Sequence, residues 1–164
     1  MVKAPVHHRR AVELVRRVPV PVAAALAIFE RDPHRVIGPH LGAPWTDTEL
    51  HADLVVELFG RRQVVREVRI GVGRLLEDDG ILALPLWWQA AEHPQLFPTF
   101  DGGLEVRGDE LETELRLVGS YRPPLGAVGR FADGVVGHRV VMASLDEFLS
   151  AVAERLGATL AATK

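Results

Sequence analysis

The C-terminal third of the chain, residues 96–156, constrains the fold most. Alternate apolar and polar residues from 111 to 121 have the two-residue period of a strand with one buried face. The inner face of this strand is predicted to carry Leu111, Thr113, Leu115, Leu117, Gly119 and Tyr121. A Pro-Pro-Leu-Gly run ends the strand, and apolar residues at helical spacing then continue to Leu156. We therefore predict a strand followed by one long C-terminal helix.

The residues upstream of this region predict an antiparallel sheet. Residues 7–18 read as a first strand, and the alanine- and leucine-rich residues 22–31 read as a helix that ends at Asp32-Pro33. Residues 34–49 read as a loop with at most one helical turn. Further strands are predicted over residues 50–59, 62–74, 81–91 and about 103–107. This order is typical of an α+β fold, and we expect one domain over residues 1–164.

Three local features carry more specific expectations. Residues 81–91 are apolar on both faces, which predicts a central strand or one that is covered on both sides. Pro85 within this strand predicts a bulge or an interrupted ladder. Gly108-Asp109 is typical of a turn between two strands.

The last helix is predicted to have two parts. Gly126, Gly129, Gly134 and Gly137 in its first part each disfavour a helix, so that tertiary packing has to offset them. The residues Ser144 to Glu147 fit a capping box, which predicts a kink or break near Ala143. Gly157 is expected to end the helix, with Arg155 placed to meet its dipole.

Composition narrows the class of protein. The chain has 164 residues, 48% hydrophobic and 25% charged, with a net charge of −3, which argues against a nucleic-acid-binding face. The absence of cysteine excludes disulfides and thiolate chemistry. The longest apolar run, residues 18–29, is too short to span a membrane, and the first ten residues do not resemble a signal peptide. We expect a cytoplasmic protein without an integral membrane segment.

Enzyme signatures are absent from the sequence. Gly71-Val72-Gly73 follows a predicted strand, but Leu76 stands where a dinucleotide-binding motif needs its third glycine. The chain has no phosphate loop, no HExxH motif and no GxSxG elbow. Its histidines do not share metal-ligand spacing. We therefore predict no metal site and no cofactor.

His138 is the histidine with the clearest functional potential. On the last helix it falls within an apolar stripe that should face the sheet: Val128, Phe131, Val135, His138, Met142, Leu145, Leu149, Val152 and Leu156. From that position it could orient a polar ligand group or move a proton. The alternatives are a core histidine that is bonded to a backbone carbonyl and a histidine at the edge of the stripe.

Other candidate residues lie on the predicted sheet. Arg66 has the parity of inward-facing residues, so that its guanidinium would meet either a ligand carboxylate or an internal partner, unless it lies on the outer face. Trp87 and Trp88 must point to opposite faces, so that one lines the cavity and the other packs outside. Asp101 and Arg122 are interpreted as members of structural ion pairs. The predicted ligand-binding set is Arg66, Trp87, Trp88, Leu115, Leu117, Tyr121, Val135, His138 and Met142.

Several of these residues also carry a family resemblance. Leu96-Phe97-Pro98, Asp101, the strand 113–121, the run 121–126 and His138-Arg139 resemble a bacterial group of the SRPBCC, or START-like, superfamily. That superfamily includes the birch-pollen-allergen fold, polyketide cyclases and aromatases, and lipid-transfer domains. The resemblance implies a helix-grip fold: a curved antiparallel sheet wrapped around a long C-terminal helix, with two short helices after the first strand and a cavity between the layers.

Three functions follow as alternatives. The first is binding of a hydrophobic small molecule (a lipid, isoprenoid or polyketide-like compound) in the internal cavity, for transport or sensing. The second is a cyclase- or aromatase-like enzyme, with His138 and Tyr121 as candidate proton-transfer groups. The third is a protein-interaction module with a vestigial cavity. The sequence favours binding over catalysis and leaves the oligomeric state open.

Overall fold

The computed structural model describes residues 9–38, 49–58, 61–78, 81–90, 99–122 and 134–162. The elements in chain order are β1 (Arg10–Val18), α1 (Val22–Arg31), α2 (His34–Ile37), β2 (Glu49–Leu58), β3 (Arg61–Val72), β4 (Leu76–Asp78), β5 (Ile81–Ala90), β6 (Thr99–Gly108), β7 (Thr113–Arg122) and α3 (Gly134–Ala161). No helix among the described residues is both long enough and apolar enough to cross a membrane.

The strands form one open antiparallel sheet. Its order is β1-β7-β6-β5-β3-β2, and the short strand β4 pairs with β5. β1 and β2 are the two ends of this order and do not pair with each other. The helix α3 packs against both of these end strands, and α1 and α2 also contact it. The predicted α+β fold, with a curved sheet around a C-terminal helix, is confirmed.

The core lies between the inner face of the sheet and α3. Alternate residues of β5, β6 and β7 are buried, as the two-residue period predicts. The side chains that α3 buries in the core are spaced at helical intervals: Val141, Leu145, Leu149, Val152 and Leu156. Burial of this apolar surface, worth about 25 cal/mol per Å², holds the helix against the sheet.

The strand β5 is central, but it is buried on one face only. Its even-numbered residues are buried, whereas the other face is partly exposed and Trp87 is 36% exposed. Of the two alternatives that the apolar run predicted, the central position is therefore correct and the cover on both faces is not. Pro85 lies where the neighbour of β5 changes from β3 to β4, so that the interrupted ladder is confirmed.

The helix α3 runs without a break from Gly134 to Ala161. The predicted break near Ala143 is therefore wrong, as is the predicted end at Gly157. Packing of α3 across the sheet outweighs the low helix propensity of glycine, since Gly157 lies against Val18 of β1. The predicted loop beyond Gly38, the run 123–126, Val128 and Phe131 lie outside the described residues.

The position of Arg155 also differs from the prediction. Its guanidinium donates hydrogen bonds to the carbonyl oxygens of Val36 (3.2 Å) and Ile37 (3.1 Å) at the C-terminal end of α2. Arg155 thus binds the end of α2 instead of the end of its own helix, which continues for more than a turn beyond it. Burial lowers the pKa of this guanidinium. The single helical turn expected after Pro33 is present as α2.

The β6–β7 turn forms where Gly108-Asp109 predicts it. Gly108 has a φ of +156°, which only glycine adopts readily. One carboxylate oxygen of Asp109 accepts hydrogen bonds from the N–H groups of Leu111 (2.8 Å) and Glu112 (3.0 Å). Leu111 belongs to this turn and is 81% exposed, so its predicted place on the inner face is wrong.

Candidate ligand site between the sheet and the C-terminal helix

Three aromatic residues form a row across the inner face of the sheet. Trp88 of β5 lies opposite Phe100 of β6, which in turn lies opposite Tyr121 of β7. All three are buried, with 2–5% of their surface exposed. We call this set the aromatic row. It presents an apolar wall to α3 that carries one hydroxyl group.

The helix α3 contacts both ends of the aromatic row. At one end, the hydroxyl oxygen of Tyr121 lies 2.8 Å from Nδ1 of His138. The two rings are stacked, with centroids 5.8 Å apart and planes at 22°. At the other end, the ring of Phe148 meets Trp88 edge to face, with centroids 5.4 Å apart. The helix α3 therefore makes one polar contact with Tyr121 and one apolar contact with Trp88.

The pairing of Tyr121 with His138 was not predicted from the sequence, although both were candidate site residues. Nδ1 meets the tyrosine hydroxyl and not a backbone carbonyl, whereas the alternative position at the edge of the stripe agrees with a partly exposed side chain. His138 is half-buried, whereas Tyr121 is buried. The sequence did offer one sign of this pairing: Tyr121 lies on the inner face at the end of β7, and His138 lies near the start of α3 in the stripe that faces the sheet.

Two glycines let the ring of Phe100 lie close to the backbone of the sheet. Gly102 lies opposite Gly119, and the ring of Phe100 covers both. A Cβ atom at either glycine would lie 2.8 Å from Cζ of Phe100. Phe100 stacks in turn on Trp88, with centroids 4.7 Å apart. Phe100 was not among the predicted site residues, because the fifth strand was expected to begin only at residue 103, and Phe148 was missed because it is not in the predicted apolar stripe of the last helix.

The two tryptophans of β5 divide as expected. Trp88 faces α3, whereas Trp87 lies on the outer face, where its ring covers Gly71 of β3. A Cβ atom at Gly71 would lie 1.9 Å from Cε2 of Trp87. Trp87, one of the predicted ligand-binding residues, is therefore outside the site.

The remaining predicted residues have varied positions. Leu115 and Leu117 are fully buried on the inner face of β7, and Met142 is half-buried one turn after His138. Val135 lies in the first turn of α3, and Arg66 lies opposite Leu54 in the register of β3 with β2. The side chains of these last two candidates are outside the described part of the structure. For every member of the predicted set other than Trp87, a role in ligand binding stays a prediction.

Arg16 is an inner-face residue of β1 that was not among the candidate site residues. Its guanidinium donates to Oγ of Ser150 (3.1 Å), to the carbonyl of Val15 (2.9 Å) and to the carboxylate of Asp146. Arg16 shares the parity of Val12 and Val18, and this was the available signal. It ties α3 to β1 beside the site.

The outer face of β1, β7 and β6 carries paired charges. Arg107 binds the carboxylate of Glu114, which also lies 3.6 Å from Arg17. Arg116 lies between Glu13 (2.9 Å) and Glu105 (3.2 Å). These partners lower the pKa of Glu114, chiefly through its hydrogen bond with Arg107, and raise that of Arg116, chiefly through its hydrogen bond with Glu13.

An open depression on this outer face is lined by charged residues of the network and by the β6–β7 turn: Arg17, Arg107, Gly108, Asp109, Glu112 and Glu114. Because its guanidinium groups already bind carboxylates, we interpret the depression as a structural feature. Asp101 pairs with Arg9 at 3.5 Å, as expected, whereas Arg122 is exposed at the end of β7. Among the described residues, no three potential metal ligands come together.

Comparison with solved structures identifies the fold. TTHA0849 from Thermus thermophilus is 15% identical, with 94% of this chain and 100% of that chain covered at a TM-score of 0.55. The Zhui aromatase/cyclase from Streptomyces sp. R1128 is 16% identical, with 93% of each chain covered at 0.52. Ara h 8.0201 is 12% identical, with 91% and 98% covered at 0.51. The chain has a helix-grip fold, as these structures do. No protein-family model and no curated protein sequence matches it.

Within this helix-grip fold, the candidate site combines two kinds of side chain. The aromatic row and Phe148 offer apolar contacts, and the Tyr121–His138 pair offers hydrogen bonds. A hydroxyl bonded to an imidazole can orient a polar group or pass a proton, depending on what is bound. The geometry therefore fits an apolar molecule that carries at least one polar group.

Proposed function

We propose that the chain binds a hydrophobic small molecule between the inner face of the sheet and the N-terminal half of α3. The observation that carries this proposal is the Tyr121–His138 hydrogen bond at the end of an otherwise apolar aromatic row. Apolar burial would supply most of the binding free energy, at about 25 cal/mol per Å². The polar pair would fix the orientation of the ligand.

Native mass spectrometry of freshly purified protein, with organic extraction of the same sample, tests this proposal. We expect a bound hydrophobic molecule, or a complex after addition of oleate, farnesol or an anthraquinone. His138→Ala should weaken that complex, whereas Arg139→Ala, an exposed neighbour on the same helix, should not. Failure of all these compounds to bind the wild-type protein would contradict the proposal.

A cyclase- or aromatase-like activity is the second candidate. It is favoured by the direct contact of a hydroxyl with an imidazole in a largely buried place, which is suited to general acid–base catalysis. The fold likeness to the Zhui aromatase/cyclase is compatible with this reaction class but, at 16% identity, does not assign it.

The enzyme candidate is tested with a linear poly-β-ketone thioester. Ring closure should be faster with the wild-type protein than without it, and slower with His138→Ala and with Tyr121→Phe. Trp87→Phe is the matched control, because Trp87 lies on the outer face. Conversion that survives both site substitutions would remove the pair from any catalytic mechanism.

A further inference from the structure

We infer that the Tyr121–His138 pair holds the imidazole in the tautomer with its proton on Nε2, and that the site thereby selects hydrophobic ligands that carry a carbonyl oxygen. This inference rests on the proposed binding function. It adds a chemical class of ligand, namely ketones, aldehydes, esters and carboxylates, in preference to plain hydrocarbons.

The tautomer follows from the hydroxyl of Tyr121. A buried hydroxyl has to donate its proton to an acceptor, and the partner in the described structure is Nδ1 of His138, at 2.8 Å. Nδ1 therefore accepts, and the proton of the neutral imidazole resides on Nε2. The opposite arrangement, with Nδ1 as the donor, would leave the buried hydroxyl proton without an acceptor among the described residues, which is unfavourable.

The ring geometry directs this second proton away from Tyr121. Nδ1 and Nε2 lie on different sides of the imidazole, and the ring is held by stacking on Tyr121 at 22° between the planes. His138 is half-buried on the face of α3 that meets the sheet. Within the described ranges, no protein group accepts a hydrogen bond from Nε2, so that a ligand bound beside the ring can accept its proton.

This donor discriminates between ligands. A carbonyl oxygen replaces the water that the ligand displaces from Nε2, whereas a hydrocarbon displaces the same water and leaves the donor unsatisfied. A net hydrogen bond of ordinary strength corresponds to a preference of about fivefold to tenfold in affinity. The apolar contacts with the aromatic row are common to both ligands and do not contribute to the preference.

The tautomer is tested in the wild-type protein without any ligand. A ¹⁵N–¹H spectrum of histidine side chains at pH 8 should show His138 with a proton on Nε2 and an unprotonated Nδ1. Tyr121→Phe should change the Nδ1 signal, because its donor is removed. A proton on Nδ1 of the wild-type protein would overturn the inference.

Ligand selection is tested with two fluorescent probes that differ in one group: 6-propionyl-2-(dimethylamino)naphthalene and its 6-propyl analogue. We expect the wild-type protein and Arg139→Ala to bind the ketone about fivefold to tenfold more tightly. His138→Phe, which keeps an aromatic ring, should bind both probes equally, and His138→Gln serves if that variant does not fold.

The two levels of the proposal fail in different ways. If neither probe binds the wild-type protein, the proposed binding function is contradicted. If both bind equally, or if the preference for the ketone persists in His138→Phe, binding stands and the inferred selection is wrong.

Discussion

Trp87 and Trp88 are adjacent in β5, yet they lie on opposite faces of the sheet, with Trp88 5% exposed in the core and Trp87 36% exposed outside. Trp88→Ala should lower the free energy of unfolding by about 3–5 kcal/mol, because it leaves a cavity between Phe100 and Phe148. Trp87→Ala should cost clearly less. Urea denaturation of both variants measures the difference, and equal losses would contradict the assignment of faces.

Gly119 is expected to tolerate no side chain. A Cβ atom there would lie 2.5 Å from the carbonyl oxygen of Asp101 and 2.8 Å from the ring of Phe100. Gly119→Ala should therefore lower the free energy of unfolding by about 1–3 kcal/mol. Gly103→Ala is the milder comparison and should cost less, because the new Cβ would lie 3.3 Å from the carbonyl oxygen of Leu84, a tight contact but not an overlap. A loss as large for Gly103→Ala, measured in the same denaturant, would show that clashes on the inner face are not the cause.

Gly157 offers the opposite case, a glycine whose replacement should stabilise the protein. It lies inside α3, and a Cβ atom there would make an ordinary contact, 3.9 Å from Val18. Gly157→Ala should raise the free energy of unfolding by about 0.8–1 kcal/mol through helix propensity. Thermal denaturation checks the sign. A lower melting temperature would mean that α3 does not continue through this residue in solution.

Stability should decrease in acid through Glu114. Its pKa is lowered in the folded protein, chiefly by the hydrogen bond from Arg107, so the charged form is favoured by folding. The resulting stabilisation is present at neutral pH and is lost as the pH falls through the ordinary glutamate pKa of about 4.3 towards the lowered value. Denaturation at a series of pH values should show a shallower acid slope for Glu114→Gln than for wild type; parallel slopes would refute this.

Much of the fold was predictable because its strands and helices have clear periods. The predicted helix 22–31 has the bounds of α1, and the alternation of β7 matches its buried residues. The start of β6 was not predictable in the same way, because Asp101, Gly102 and Gly103 interrupt the alternation. Helix propensity placed the end of α3 too early, since packing against β1 outweighs the preference of a single glycine.

The candidate site was predictable only residue by residue. The sequence left open which of Trp87 and Trp88 faces α3, and the alignment of Trp88 and Tyr121 with Phe100 depends on the register of three strands. The contact of Tyr121 with His138 depends on where α3 crosses the sheet. Arg16 shows the same limit, because an arginine in a charged run became an inner-face anchor for α3.

Because α3 packs against both end strands of the sheet, its position affects how readily the protein associates with other copies of itself. β1 and β2 each have one side without a strand neighbour in the sheet order, and an uncovered strand edge is a template for pairing with another chain. Because one helix packs against both strands, displacement of α3 would bring two edges into reach of other molecules together. Substitutions that loosen the helix should therefore promote aggregation out of proportion to the stability that they remove.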